Sequence, residues 1–175
     1  MNILIFGGQS LSNRDWMDTL SSKLNMQASI YKSLCHEYLA WTSKPNSDNA
    51  IQIKNEIANA QSKYRNRSFD IIIGKSFGCM MAFESKASCR FMILIGPPVT
   101  TLKEMDFDLM KAVKASHTKT LILANANDQL ADKPGLESYA RKNPQQVSFH
   151  GLAGNGHKYE NIEELIYFIN NFIVR

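Results

Sequence analysis

Cysteine is scarce and unpatterned in this chain. Only Cys35, Cys79 and Cys89 occur among 175 residues, an odd number without tight spacing, which excludes both a disulfide framework and a cysteine-based zinc site. These three read as reduced, buried thiols. Long apolar runs are also missing: no stretch approaches the roughly 18 residues of a membrane span, and the opening Met1-Asn2-Ile3-Leu4-Ile5-Phe6-Gly7-Gly8 has neither the basic region nor the apolar length of a signal peptide. The cytoplasm is the expected location, with no membrane partner. Excess charge is slight, 20 Lys and Arg against 16 Asp and Glu, and only Lys63, Arg65 and Arg67 cluster. Nucleic acid is therefore not an expected partner. Internal repeats, low-complexity tracts and long linkers are absent, so the chain reads as a single domain over 1–175.

What is present suits a packed core. The chain is 44% hydrophobic, with nine Phe, two Trp and six Tyr, and a chain of this length buries about 70% of its unfolded surface. Short apolar runs recur at Ile3 to Phe6, Ala28 to Tyr31, Phe69 to Ile73, Phe91 to Ile95, Thr120 to Ala124 and Val147 to His150. Because they are apolar on both faces they predict buried strands of a parallel sheet. Helical spacing lies between them. Trp16, Leu20 and Leu24 follow the cap candidates Ser12 and Asn13, Ile57 and Tyr64 follow Asp48, and Ile162, Leu165, Ile166, Ile169, Phe172 and Ile173 form a closing apolar stripe. Alternating strand and helix predicts a doubly wound α/β fold, with a mostly parallel sheet of about six strands and helices on both faces. Residues 40 to 49 and 97 to 107 are the least regular, and neither is long enough for a lid domain. The shortness of the segment from Pro97 to Thr118 predicts an open site for modest substrates.

One stretch carries chemistry. Phe69-Asp-Ile-Ile-Ile-Gly-Lys-Ser-Phe-Gly-Cys-Met-Met-Ala-Phe83 places Gly74-Lys75-Ser76-Phe77-Gly78 between an apolar strand and a helical stretch. A serine on so sharp a turn has a strained backbone, and side chains two residues to either side would strike neighbouring backbone. Glycine at 74 and 78 avoids this. The turn raises the Ser76 hydroxyl above the sheet, and the Phe77 amide at the next helix start is a candidate oxyanion donor. A phosphate loop would need glycine at position 69, which is Phe69. The bland alternative for Ser76 is a capping serine.

A serine nucleophile needs a histidine base and a carboxylate to orient it. Asp128 lies in the loop after the Thr120 to Ala124 strand, and the glycine-rich Gly151-Leu-Ala-Gly-Asn-Gly156 loop leads to His157. His150, at the preceding strand end, is the rival base, and Asp132 and the pair Asp106 and Asp108 are rival acids; Asp128 has the further alternative of a simple turn aspartate. His36 opens His-Glu-Tyr-Leu-Ala40, which fails the zinc pattern H-E-x-x-H at Ala40, and is expected at the surface or partly satisfied. His117 is expected in solvent. Met80, Met81 and Phe83 read as core, and Asp70 as a strand-boundary residue.

Strand, elbow serine, later aspartate and final-loop histidine, in that order, resemble the α/β-hydrolase superfamily over nearly the whole chain. The resemblance implies a small, lidless serine esterase with Ser76 as nucleophile, Asp128 as orienting carboxylate and His157 as base and then acid. It also implies a second oxyanion amide from the loop after the first strand, at Gly8 or Gln9, and no metal or organic cofactor. Three features depart from the family: no hairpin is expected before the first strand, the first loop reads Phe6-Gly7-Gly8 without the common His-Gly pair, and Lys75 stands where histidine is frequent. The expected substrate is a small carboxylic ester or thioester. A hydrolase-fold binding protein, or an acyltransferase or peptidase using the same residues, is the alternative.

Overall fold

The computed structural model describes residues 1–27, 31–41 and 49–174. Six strands, β1 (Asn2–Phe6), β2 (Lys32–Cys35), β3 (Ser68–Lys75), β4 (Ser88–Ile95), β5 (Lys119–Asn125) and β6 (Val147–Leu152), form one sheet in the order β2-β1-β3-β4-β5-β6. Every pairing is parallel. The expected mostly parallel sheet is thus entirely so. Its helices are α1 (Ser12–Gln27), α2 (Asn49–Tyr64), α3 (Gly78–Glu84), α4 (Val99–Glu104), α5 (Leu109–Ser116), α6 (Lys133–Lys142) and α7 (Ile162–Ile173).

Alternate strand residues feed two cores. Ile3, Ile5, Ile71, Ile73, Ile93, Leu121 and Leu123 pack with α1 and α7, while Leu4, Phe6, Ile72, Leu94 and Ile122 pack with α2 to α6. All of these are fully buried. That explains why the inner strands read as continuous apolar runs: a sheet covered on both faces leaves no polar alternation. The apolar stripe expected on the last helix forms α7, which buries Ile162, Leu165, Ile166, Ile169 and Ile173. Asn161 caps it by accepting from the Glu164 amide.

The edge strand was misplaced by its composition. The run expected to form it was Ala28 to Tyr31, of which Tyr31 precedes the observed strand. Lys32–Cys35 pairs with β1 instead, with Asn2 opposite Lys32 and Ile5 opposite Cys35, and Ala28 to Ile30 lie outside the described residues. An edge strand has one neighbour and here alternates between exposed and half-buried positions, so it needs no apolar run. At the other edge, β6 is likewise only partly buried. Asp48, expected to open α2, lies outside the described residues, as do residues 42 to 47. The irregular 97–107 stretch contains the short helix α4.

The sheet order positions the site. From β1 the chain crosses to β2 at one edge, then returns past β1 to β3 and proceeds outward through β4, β5 and β6. Connections leaving the carboxyl ends of β1 and β3 therefore diverge, and that divergence opens a crevice. Gly7-Gly8-Gln9 follows β1 and Ser76 follows β3. Among the described residues no helix is long and apolar enough to cross a membrane.

Candidate active site

The turn from β3 into α3 holds Ser76 with φ 55. This left-handed conformation costs a residue with a Cβ about 1–2 kcal/mol. Surrounding bonds hold it: the Ser76 amide donates to the Ile95 carbonyl at 2.9 Å, and the Ser76 carbonyl accepts from the Cys79 amide at 2.9 Å. The flanking glycines are required by contact. A Cβ on Gly74 would lie 2.5 Å from the Gly78 carbonyl oxygen, and one on Gly78 would overlap the Phe6 carbonyl oxygen. The second contact is informative, because it presses the start of α3 against the end of β1.

A continuous hydrogen-bonded chain runs from the serine. His157 Nε2 lies 2.7 Å from Ser76 Oγ, and His157 Nδ1 lies 2.8 Å from Asp128 Oδ2. A carboxylate only accepts, so Nδ1 carries the proton and Nε2 is left to accept from the serine hydroxyl. The Asp128 side chain is fully buried, whereas a quarter of the His157 side chain is exposed. Asp128 is satisfied on both oxygens: Oδ1 accepts from the Leu130 amide at 3.0 Å, and Oδ2 also accepts from the Tyr159 hydroxyl at 2.6 Å.

Tyr159 was not singled out from sequence. It is buried, sits at φ 58, and its hydroxyl accepts from the Asn125 amide at 3.1 Å while donating to Asp128. Burial, with the Asp128 carboxylate next, pushes its phenol well above the usual range, so it remains a donor. The Trp16 indole donates to the Tyr159 carbonyl at 2.8 Å, and Asn125 Nδ2 to the Gly156 carbonyl at 2.8 Å. The histidine loop is thereby tied to α1 and β5. The available signal was an aromatic residue two positions beyond His157 in a loop of glycine, asparagine and charge.

The rivals lie elsewhere. His150 stacks on Phe168 with ring centroids 4.8 Å apart, on the surface formed with α7. Asp132 caps α6 by accepting from the Gly135 amide, and Asp108 caps α5 by accepting from the Lys111 amide. Asp106 is a left-handed residue after α4, and Asp70 accepts from the Asn2 amide at 2.7 Å. His117 is exposed. Of the two expectations for His36, the surface one is corrected and the partly satisfied one holds: it is fully buried, packed against Phe6, Tyr38 and Tyr64, with only Nδ1 bonded, to the Tyr64 hydroxyl. Burial, with Lys63 adding to it, lowers its pKa to about 4. Of the thiols, Cys79 is buried and Cys35 and Cys89 only half so. Met80 and Met81 are in the core, with Phe83 packed against it.

Near Ser76 the candidate oxyanion groups are arranged as follows. Phe77 starts α3 with helical dihedrals and no side-chain cap. The carbonyls of Gly7 and Gln9 accept from the Tyr38 hydroxyl at 2.7 Å and the Trp41 indole at 2.8 Å. Since a trans peptide points its N–H opposite to its C=O, the Gly8 amide faces away from Tyr38. Gln9 Nε2 is buried without an acceptor among the described residues.

Beside Ser76, His157 and Asp128 lies a cleft of about 530 Å³ bordered by His157, Lys75, Trp16, Asn13, Ser12 and Thr19 among others. Lys75 is 5% exposed, donates to Asn13 Oδ1 at 2.6 Å, and lies 5.2 Å from the Trp16 ring centre. Burial lowers its pKa to about 8, with Cys79 and Asp128 acting in the opposite direction.

No protein-family model and no curated protein matches the sequence. Solved structures do match it. The chain is similar to a predicted CIB-like hydrolase from Thermoplasma acidophilum, with 19% identity, a TM-score of 0.69, and coverage of 98% of this chain and 85% of that one. An alpha/beta hydrolase enzyme from the metagenome of lagoon sediments at Mar Chica, Morocco, gives 18% identity and a TM-score of 0.62 over 99% and 90%. A thioesterase domain from the curacin biosynthetic pathway gives 10% identity and a TM-score of 0.63 over 99% and 91%. The chain has the α/β-hydrolase fold.

Proposed function

We propose that this chain is a serine hydrolase that cleaves small carboxylic esters or thioesters through an acyl-enzyme on Ser76. The observation that carries the reading is the hydrogen-bonded series from Ser76 Oγ through His157 to the buried Asp128 carboxylate, at 2.7 and 2.8 Å. A capping serine or a turn aspartate has no need of that alignment. Esterase and thioesterase names among proteins of like fold support the same reaction class.

The residues divide the chemistry as follows. His157 Nε2 takes the Ser76 proton as Oγ bonds to the substrate carbonyl carbon, and Asp128 stabilises the imidazolium that results. Collapse of the tetrahedral intermediate breaks the bond to the alcohol or thiol, which leaves with that proton. Water then gives a proton to His157 and attacks the acyl carbon; the acid departs and the proton returns to Ser76 Oγ. Amides of Phe77 and of Gly8 or Gln9 are the proposed oxyanion donors, and each should be worth a hundredfold or more. Cys79 is no competing nucleophile, because burial pushes its thiol far up.

Intact mass after treatment with a fluorophosphonate, on the native chain and on Ser76→Ala, tests the reading. One adduct mapping to Ser76 and missing from the variant is expected, together with acid release from short-chain esters or thioesters. A folded native chain that takes no adduct and turns over no ester would replace the reading with that of a binding protein. Product analysis with an added alcohol or amine separates hydrolysis from acyl transfer.

A further inference from the structure

Lys75 occupies the position directly before the nucleophile, and nothing in the reaction just described uses it. It is 95% shielded from solvent, being 5% exposed. A buried ammonium ordinarily has a carboxylate partner, since taking an unpaired charge out of water is costly. Among the described residues no carboxylate oxygen comes within 4 Å of Lys75 Nζ; its polar partner is the neutral Asn13 amide oxygen, and its other neighbour is the Trp16 ring face. An ammonium has three donor hydrogens, so these contacts leave donor capacity. Lys75 and Trp16 are buried members of the 530 Å³ cleft beside His157. Ser12 and Thr19 also border it. Asp15 and Glu160 border it too, but both are exposed, where water and salt screen them.

The cleft's place beside His157 decides which part of a substrate enters it. His157 Nε2 must hand its proton to the departing atom, so that atom lies against the imidazole while the acyl carbon is bound to Ser76. What extends past His157 toward Lys75 is therefore the alcohol or thiol portion. We propose that Lys75 is the specificity residue of this site, and that the substrate's leaving group carries an oxyanion, a carboxylate or phosphate, that docks on the Lys75 ammonium. The inference rests on the hydrolase reading of Ser76. It accounts for a lysine buried with no carboxylate in contact, Asp128 acting on it only from beyond hydrogen-bond reach: the contacting charge arrives with the substrate. The residue stays largely protonated at neutral pH, its pKa being about 8, and a charge-assisted bond to a carboxylate or phosphate in a screened cleft is among the stronger polar contacts available.

The test compares acetyl esters of glycolate, 3-hydroxypropanoate and 4-hydroxybutanoate with their neutral carboxamide counterparts, and adds the acetyl ester of ethylene glycol phosphate. The native chain should prefer at least one anionic ester over its neutral counterpart, mainly through KM. Lys75→Met should lower that preference about tenfold or more, and Lys75→Gln serves if Met does not fold. Taking a ratio within each variant cancels any general effect on the triad. If only the phosphate ester responds, the docked group is a phosphate; if only the carboxylates do, it is a carboxylate. Equal loss on charged and neutral esters, or no loss of preference, would overturn the proposal while leaving the hydrolase reading intact. A binding arm stands apart from catalysis: calorimetry of 4-hydroxybutanoate and of inorganic phosphate with Ser76→Ala, against the Ser76→Ala and Lys75→Met double variant. Loss of binding with Lys75 supports the proposal, and undiminished binding rejects it. An anion site dependent on Lys75 in a chain whose Ser76 takes no fluorophosphonate would instead sink the hydrolase reading.

Discussion

Two histidines follow parallel strands of the same sheet and have opposite fates. His36, just beyond β2, is fully buried among aromatic rings; its Nδ1 meets the Tyr64 hydroxyl at 3.3 Å and its Nε2 finds no partner among the described residues. His157, in the loop beyond β6, is a quarter exposed and bonded on both nitrogens. The first environment penalises the imidazolium and offers it nothing in return, so the ring stays neutral. The second supplies a buried carboxylate to one nitrogen and a hydroxyl to the other. Burial alone makes a histidine packing material. A base needs a partner for each nitrogen and a face toward substrate.

Removing the two rings should separate activity from stability. His157→Ala is expected to lower ester turnover by a factor on the order of 10⁴, with the denaturant midpoint little moved. His36→Ala should reverse the pattern, losing about 3 kcal/mol of stability through the cavity left in the aromatic cluster while the folded fraction keeps its turnover. Urea titrations alongside initial rates check both. Comparable losses of turnover in the two variants would end the contrast.

The contrast also has a pH signature. The folded pKa of His36, about 4, lies below the roughly 6.5 of an unfolded histidine. Its contribution is therefore complete above pH 6.5 and is lost as pH falls from there through 4, because the unfolded chain takes up the proton first. Between pH 7.5 and 4.5 this amounts to about 2–3 kcal/mol. His36→Phe, which keeps a ring among Phe6, Tyr38 and Tyr64, should show a correspondingly flatter decline when unfolding free energies are measured at both pH values. A slope identical to that of the native chain would mean that His36 is protonated in the folded state.

The same contrast explains what could be read from the residues alone. Inner strands such as Ile71 to Ile73 and Leu121 to Leu123 were legible because burial on both faces leaves a continuous apolar run. The β2 edge was not, because one neighbour and one half-covered face impose no such pattern, and the more apolar Ala28 to Tyr31 drew the assignment four residues early. The elbow was legible because steric closeness at Gly78 and Phe6 demands glycine at a fixed spacing. Ser76, Asp128 and His157 followed from order along the chain and from which loops leave the carboxyl ends of strands. Burial of His36 was hidden because it depends on Tyr64, 28 residues away, and on Phe6, 30 residues away. Lys75 was visible as an unusual neighbour of the serine, but its lack of a contacting carboxylate is a property of three dimensions.

Tyr159 gives the smallest expected effect and the finest test of what distinguishes the two histidines. Asp128 Oδ2 accepts from both the His157 imidazole and the Tyr159 hydroxyl, so the tyrosine fixes the carboxylate that in turn fixes the proposed base. In the proposed mechanism it acts through Asp128 and His157 and not on the ester itself, which makes it a positioning residue. Tyr159→Phe keeps the ring but removes a donor to a buried anion, and it leaves the Asn125 amide without the acceptor it has now. A hydrogen bond to a charged group contributes about 1.5–3 kcal/mol. Part of that loss should appear in stability and part in the aim of His157, so kcat is expected to fall about tenfold with KM nearly constant. A lower unfolding free energy with unchanged kcat would mean that the hydroxyl serves packing alone. In that case Leu130 and His157 suffice to hold Asp128, and the advantage of His157 over His36 would reduce to its own two bonds.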